Sequence, residues 1–319
     1  MNIRKEIEKK EHLYLSPFAQ KSDESLGREE PISQDDLRTC YMRDRDRIVH
    51  SHAFRREEGK SQVFILPQND HIMNRLTHTM EVTQIAKGIA VALNLNESLA
   101  ETIALGHDTG HTPFGHSGEN ALNKVYSGGY NHAKEAYRRL NVISKLNLTK
   151  EVLDGIANHS GLSNHPKAMT LEGQICPFAD KIAYLTSDME NAITTGLILD
   201  IPERFQKSLG ETKSKIVKTL IRAIIEESYE KNYVRMEESI YKEFVALREF
   251  CFNEIYFHPT LKEEKDKCEL IVEYLYQYFL KHPDKIPELK ENINIERQVV
   301  DYIAGMTDKY AMNQFTSFI

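Results

Sequence analysis

The sequence predicts an all-α protein. Long stretches place apolar residues three and four apart, as along one helix face, and strand signals are scarce. Between these stretches stand breaks such as Pro259, Pro283 and Pro287. A length of 319 residues suits one large domain, or two modest ones that share a core.

Taken in order, residues 1–35 read as irregular, with Ser16-Pro17 and Gly27 as breaks. Asp70 to Leu95 reads as one helix offering Ile72, Leu76, Val82, Ile85, Ile89 and Leu93 to the core. Ser98-Leu99-Ala100-Glu101 has the form of a capping box, which opens the next helix. That helix ends at His107-Asp108, before a loop punctuated by Gly110, Pro113, Gly115 and Gly118. A further helix is expected to start near Pro177, since proline suits a first helical turn, and to carry Asp180 through Ala192. Helical spacing returns at 211–229, 236–257, 262–281 and 295–305. The expected organisation is an N-terminal extension with a basic segment (1–49), a core (50–200), and a C-terminal helical region packed on it (201–319).

Composition sets bounds. Hydrophobic residues make up 40% and charged residues 28%, the balance of an ordinary globular protein. No apolar run reaches the ~20 residues of a membrane span, and the charged N-terminus does not read as a secretory signal. Cys40, Cys176, Cys251 and Cys268 are far apart and form no C-x-x-C pair, so free thiols in a cytoplasmic protein are expected. A formal charge of −7 disfavours a protein that coats nucleic acid. It leaves room for a small polyanion, which needs only a local group of cations.

The segment Gly106-His107-Asp108-Thr109-Gly110-His111-Thr112-Pro113-Phe114-Gly115-His116-Ser117-Gly118-Glu119 carries the chemistry. A His-Asp dipeptide alone is weak evidence. Three histidines, an aspartate and a glutamate packed together and spaced by glycines supply the imidazole and carboxylate ligands of Mn, Fe, Zn, Ni or Mg sites. Upstream, Arg75 and His78 are three apart and share a helix face. Downstream, Asp180, Tyr184 and Asp188 follow at i, i+4 and i+8 along one stripe, with Lys181 adjacent.

These residues resemble the H…HD…D pattern of the HD superfamily, and the likeness extends further. Leu15-Ser16-Pro17-Phe18-Ala19-Gln20-Lys21-Ser22, Arg43 to Ser51, Ala53-Phe54-Arg55-Arg56, Lys60-Ser61-Gln62-Val63-Phe64, Arg75 to Val82 and Asp301 to Ala311 all resemble bacterial dGTPase-like proteins. The resemblance implies an HD-domain helical core with a C-terminal helical elaboration. It implies a metal-dependent hydrolase that splits a deoxynucleoside triphosphate into deoxynucleoside and triphosphate. Two departures stand out. Ile72, Met73 and Asn74 replace the aromatic and basic residues common before Arg75. Glu57, Glu58 and Gly59 replace a leucine and basic residues, and two acids there would weaken a positive field.

By the same resemblance, His78, His107, Asp108 and Asp180 are the metal ligands. His116 and Glu119 form a catalytic dyad, with the carboxylate orienting the imidazole. His111 and His132 contact phosphates. Arg75 and Lys181 are the best-placed cations, and Arg56 and Lys60 weaker ones that compare evenly with solvated surface charges. Tyr184 packs on the deoxyribose, Asp188 accepts the 3′-hydroxyl, and Gln62 and Val63 meet the sugar or base edge. His159 stays open between a site residue and a loop or capping histidine. The expected partners are a dNTP substrate, a dNTP as allosteric effector, and further copies of the chain in a homo-oligomer. For the oligomer the aromatics of the C-terminal helices (Phe244, Phe250, Phe252, Tyr256, Phe257, Tyr274, Tyr276, Tyr278) are supporting evidence, with core packing as the plainer account. Two other functions compete: a phosphohydrolase acting on mono- or cyclic nucleotides, and a catalytically silent HD protein that senses dNTPs or nucleic acid.

Overall fold

A computed structural model describes residues 2–65, 71–287, 289–290 and 293–318. Among these residues the chain forms fifteen α-helices, and pairing of extended backbone is limited to two isolated bridges, Arg28 with Thr149 and Ser61 with Asn74. The helices are α1 (Ile3–Tyr14), α2 (Cys40–Val49), α3 (His52–Arg56), α4 (Arg75–Ala92), α5 (Glu97–Gly106), α6 (His116–Val125), α7 (His132–Tyr137), α8 (Lys150–Ala157), α9 (Leu171–Thr194), α10 (Glu203–Ser208), α11 (Lys213–Ser228), α12 (Glu238–Phe250), α13 (Pro259–Lys281), α14 (Ile295–Ala304) and α15 (Asp308–Phe318). Helix α12 continues as a π-helical stretch, Cys251–Tyr256.

Three apolar clusters hold the helices together. One joins α4, α5 and α9 to α11 and α12 through Val82, Ile89, Phe178, Ile182, Leu220 and Phe244. A second packs Leu122 of α6 against Val272, Leu275 and Phe279 of α13 and Ile303 of α14, so C-terminal helices close over the central loop. A third joins α2, α5 and α8 through Tyr41, Ile48, Leu99, Ile103, Val152 and Ile156.

Several helix boundaries differ from the sequence expectation. Residues 3–14 are helical: Asn2 accepts from the Lys5 N–H, and Arg4 pairs with Glu8 one turn on. This helix buries Glu11 rather than an apolar stripe, so hydrophobic spacing does not reveal it. Helix α4 starts at Arg75, where Asn74 accepts from the Thr77 N–H; the expected start at Asp70 lies outside the described residues. Asn96, not Ser98, caps α5 by accepting from Leu99 N–H. Pro177 does not open α9. Thr170, just before Leu171, does so by accepting from Gly173 N–H, and the proline sits inside the helix without a backbone donor. Of the C-terminal aromatics, Phe244, Tyr256 and Tyr276 are buried, Phe257 is exposed, and Phe250, Phe252, Tyr274 and Tyr278 are half-buried.

Glu172, in the first turn of α9, accepts from the backbone N–H groups of Gln20 (3.1 Å) and Asn96 (2.9 Å). Burial pushes its carboxyl up from the usual range to about 7, against those hydrogen bonds. A carboxyl raised in the fold contributes stability that is fully present below its unfolded pKa and is lost as pH rises through the folded value. The expected outcome is that Glu172 contributes more to stability near pH 5 than near pH 8. Glu172→Gln should remove about 3 kcal/mol of that difference, checked by thermal denaturation of both proteins across this range.

Candidate active site

Helix α5 ends at Gly106 and delivers His107 and Asp108 into the protein centre. Both are buried, together with Arg75 and His78 from the first turn of α4 and Asp180 from the middle of α9. His107 Nδ1 donates to Ala104 O at 2.6 Å, so its Nε2 keeps the lone pair. That Nε2 stands 3.4 Å from Asp108 Oδ1 and 3.9 Å from Asp180 Oδ1. His78 Nε2 is 3.2 Å from Asp180 Oδ1 and 3.7 Å from Asp108 Oδ2.

His78 Nδ1, His78 Nε2 and His107 Nε2 are buried without a hydrogen-bond partner. Buried polar atoms left unpaired call for a ligand. Ligand atoms of His78, His107 and Asp108 lie within 4.8 Å of one another, so this imidazole and carboxylate set could hold a divalent metal. Burial lowers the His107 imidazole, which favours the neutral ligand form. Asp108 and Asp180 are held ionised well below the ordinary range. Burial opposes this, but His107 and Arg75 outweigh it for Asp108, and Lys181 and His78 for Asp180.

A second set sits on the loop that follows. Phe114 and Gly115 turn the chain with φ of +61° and +55°, and α6 begins at His116. A Cβ at Gly110 would meet His132 O at 2.1 Å, so only glycine lets α7 approach here. His116 Nδ1 is 3.0 Å from Glu119 Oε2. Glu119 Oε1 accepts from the His132 N–H at 2.9 Å, and His132 Nδ1 is 3.0 Å from Oε2. Burial alone would raise the Glu119 carboxyl, but the hydrogen bonds from His116 and His132 carry it well below its usual value. The His111 ring stacks on His132 at 4.1 Å and points Nε2 to within 3.3 Å of Asp108.

These groups share a cavity of about 830 Å³, within the ~300–1,000 Å³ span of small-molecule sites. Asp108, His111, His116, His132, Asp180 and Lys181 line it, along with Arg75, Gln62, Val63 and Tyr184. Lys181 Nζ donates to Asp180 Oδ2 at 2.5 Å and lies over the Tyr184 ring. Arg75 donates to Asp108 Oδ2 (2.5 Å) and to Ser61 O (3.1 Å).

Four expectations are placed elsewhere. Lys60 is buried behind the site, donating to His111 O (2.5 Å) and Ala304 O (2.9 Å), where burial holds it well below a free lysine. It fastens the loop instead of facing a phosphate. Arg56 lines a separate cavity with Arg138 and Arg139. Asp188 is buried behind the wall, accepting from Tyr256 Oη at 2.8 Å. Glu57 does not line the cavity: it is buried, accepts from Thr79 Oγ1 at 2.8 Å, and burial raises its carboxyl well above the usual range.

Sequence reasoning missed the opposite wall. Arg248, Phe252, Tyr256, Lys262 and Lys265 come from the end of α12, its π-helical continuation and the start of α13. Lys262 and Lys265 are three apart, a visible signal, but the acids around them on α13 conceal it. Asp308 was missed as well. Its Oδ2 accepts from Ser61 N–H (2.8 Å) and Oγ–H (2.5 Å), and its Oδ1 from Phe114 N–H (2.8 Å). His159, left open above, belongs to the centre: it is buried, edge-on to His107 at 5.0 Å.

Helices that carry a buried His-Asp pair, a third histidine and a distant aspartate onto one point define an HD-type centre. The HD domain family matches residues 75–185, and the phosphohydrolase-associated domain matches 234–317. The chain belongs to the deoxyguanosinetriphosphate triphosphohydrolase-like family of HD phosphohydrolases. It is 47% identical to the protein of that name from Caldanaerobacter subterraneus subsp. tengcongensis, covering 99% of this chain and 95% of the relative. It is 45% identical to that of Clostridium perfringens (99% and 97%) and 38% identical to that of Desulfatibacillum aliphaticivorans (99% and 97%). No helix among the described residues is long and apolar enough to cross a membrane.

His107→Ala and Asp108→Ala are each expected to strip the centre of metal, since a site short of one ligand holds its ion poorly. Metal content after gel filtration should fall to background in both; full content in Asp108→Ala would remove it from the ligand set.

Proposed function

We propose that this protein hydrolyses deoxynucleoside triphosphates, dGTP among them, to deoxynucleoside and triphosphate. What carries the reading is one cavity joining the His78, His107, Asp108 and Asp180 cluster to the His116–Glu119–His132 hydrogen-bond relay. The names of the relatives support it.

A divalent cation on those four ligands (Mn, Mg, Fe, Ni or Zn) would supply charge neutralisation at the phosphate and activate water. The chain's own groups do the rest. Water attacks the α-phosphorus, the bond to the 5′-oxygen breaks, and that oxygen must gain a proton as triphosphate departs. His116, with its side chain 68% exposed, can swing over the cavity and deliver that proton. Glu119 holds the ring by Nδ1 and presents Nε2. Lys181 and Arg75 face the phosphate oxygens, with His111 and His132 beside them, and Arg248, Lys262 and Lys265 add positive charge from the far wall. Tyr184 stacks with Tyr256 at 6.0 Å to form an aromatic wall for the deoxyribose, closing against C2′. Asp188 positions Tyr256 from behind that wall. Gln62 and Val63 meet the sugar or base edge. A second dNTP as effector, a homo-oligomer and a cytoplasmic location complete the proposal.

The decisive experiment incubates the protein with each dNTP, singly and mixed, with Mn or Mg, and resolves the products. Triphosphate and deoxynucleoside are expected. Orthophosphate or pyrophosphate, or turnover of mono- or cyclic nucleotides alone, would reject the proposal.

His116→Ala is expected to keep metal and lose ~10²–10⁴-fold in turnover, the typical loss on removing an acid–base group. Glu119→Ala should lose somewhat less. The double variant should be little worse than His116→Ala, because paired groups act as a unit. Single-turnover kinetics with metal analysis check all three; near-normal turnover in His116→Ala would reduce the dyad to a structural role.

A further inference from the structure

Arg56 is expected from the sequence among the phosphate-binding cations, yet it stands outside the central cavity. It lines a separate one of about 570 Å³, beside the 305–307 turn that joins α14 to α15. Arg138, Arg139 and Lys290 line it too, and Asp301 is the one carboxylate there among the described residues. That carboxylate is already engaged. Arg138 grips it with a fork at 2.9 and 2.6 Å, and Arg297 donates to it at 2.6 Å. Arg139 is buried and meets a backbone group instead, Asp301 O at 2.9 Å. Arg56 makes no hydrogen bond or ion pair among the described residues.

These two guanidiniums converge. A Cβ placed on Gly305 would stand 3.3 Å from Nη1 of Arg139 and 3.3 Å from Nη1 of Arg56. Burial first, and then the neighbouring Arg139, push Arg56 down from a free arginine. Like charges drawn together away from water are unfavourable unless an anion answers them. No side chain here is left to do so. The planar fork of arginine matches pairs of phosphate oxygens. The backbone is also unusual at this place. Arg138 and Arg139 open a π-helical stretch, Arg138–Ile143, that continues α7, and such stretches recur at functional sites.

We propose that Arg56 and Arg139 form an anion site, separate from the central cavity, that takes an inorganic phosphate anion. Orthophosphate and the end of a phosphate chain such as triphosphate present the same group to the two forks. Arg138 and Lys290 stand by to meet a longer chain. The site needs neither the metal nor turnover, so it stands or falls apart from the hydrolase reading. Its occupant joins the end of α3, the start of the π-helical stretch and the turn before α15. That turn also backs the central cavity: Ala304 O accepts from Lys60 at 2.9 Å, and Asp308 accepts from the Phe114 N–H at 2.8 Å. A bound phosphate therefore braces the same turn that holds the loop before α6.

Calorimetric titration of the metal-free protein with orthophosphate and, separately, with inorganic triphosphate tests this. Triphosphate also has access to the central cavity, so Lys181→Gln serves as the control for that route. The expected result is binding that weakens about tenfold or more in Arg56→Gln and in Arg139→Gln and persists in Lys181→Gln. Circular dichroism checks folding, and the half-buried Arg56 decides the matter if the buried Arg139→Gln does not fold. Orthophosphate bound with the same dependence on Arg56 marks a pocket for a single phosphate. Binding of triphosphate alone, with that dependence, marks an extended one. Binding that is unchanged in Arg56→Gln, that is lost only in Lys181→Gln, or that is absent with both anions at millimolar concentration overturns the site.

Discussion

The buried pair of Arg75 and Asp108 governs this structure. Its two partners come from the first turn of α4 and the end of α5, and both are buried. Removing one partner from such a pair costs about 3–5 kcal/mol, because the other charge is left uncompensated. Here the guanidinium meets Asp108, and the imidazoles of His78, His107 and His111 stand around that carboxylate. Asp180 has Lys181 beside it. The cluster is thus arranged around negative charge with lone pairs pointing inward, and the packing that encloses it is tolerable because the cations and the site's ligands answer that charge. A core built only for stability would have placed apolar side chains there.

The same interior explains how distant parts of the chain are made to cooperate. The loop between Asp108 and His116 is fixed by Lys60 through His111 O and by Asp308 through the Phe114 N–H. Helix α6 is then gripped by α13 and α14. The phosphohydrolase-associated segment does not merely adjoin the HD segment. It supplies a carboxylate that fixes the loop before α6 and one wall of the cavity.

What could be read in the sequence was what repeats or what is chemically rare. Apolar spacing revealed α4, α5 and the C-terminal helices, and the concentration of histidine and glycine between 107 and 119 revealed the centre. Helix α1 escaped notice because its buried side chains are glutamates, Glu8 paired with Arg4 and Glu11 with Ser22 and Asn96. Pro177 misled because proline is usually a boundary, whereas Thr170 had already begun the helix. Lys60 and Arg56 look identical to phosphate-binding cations in a sequence; only packing decides which way a long side chain turns. Asp308 and Tyr256 gave no local signal, since their meaning lies in distant partners: Ser61 and Phe114 for Asp308, 247 and 194 residues away, and Asp188 for Tyr256, 68 residues away.

The hold of Asp308 on Ser61 and Phe114 has a consequence for synthesis. The loop that carries the histidines is tied to a residue that leaves the ribosome almost two hundred positions later. Until that residue arrives, Ser61 and the Phe114 amide have no carboxylate to bind, and α6 has no α13 to lie against. A nascent chain that already carries His78, His107, Asp108 and Asp180 is therefore still without the far wall of the cavity, which is completed only when the distal helices fold back.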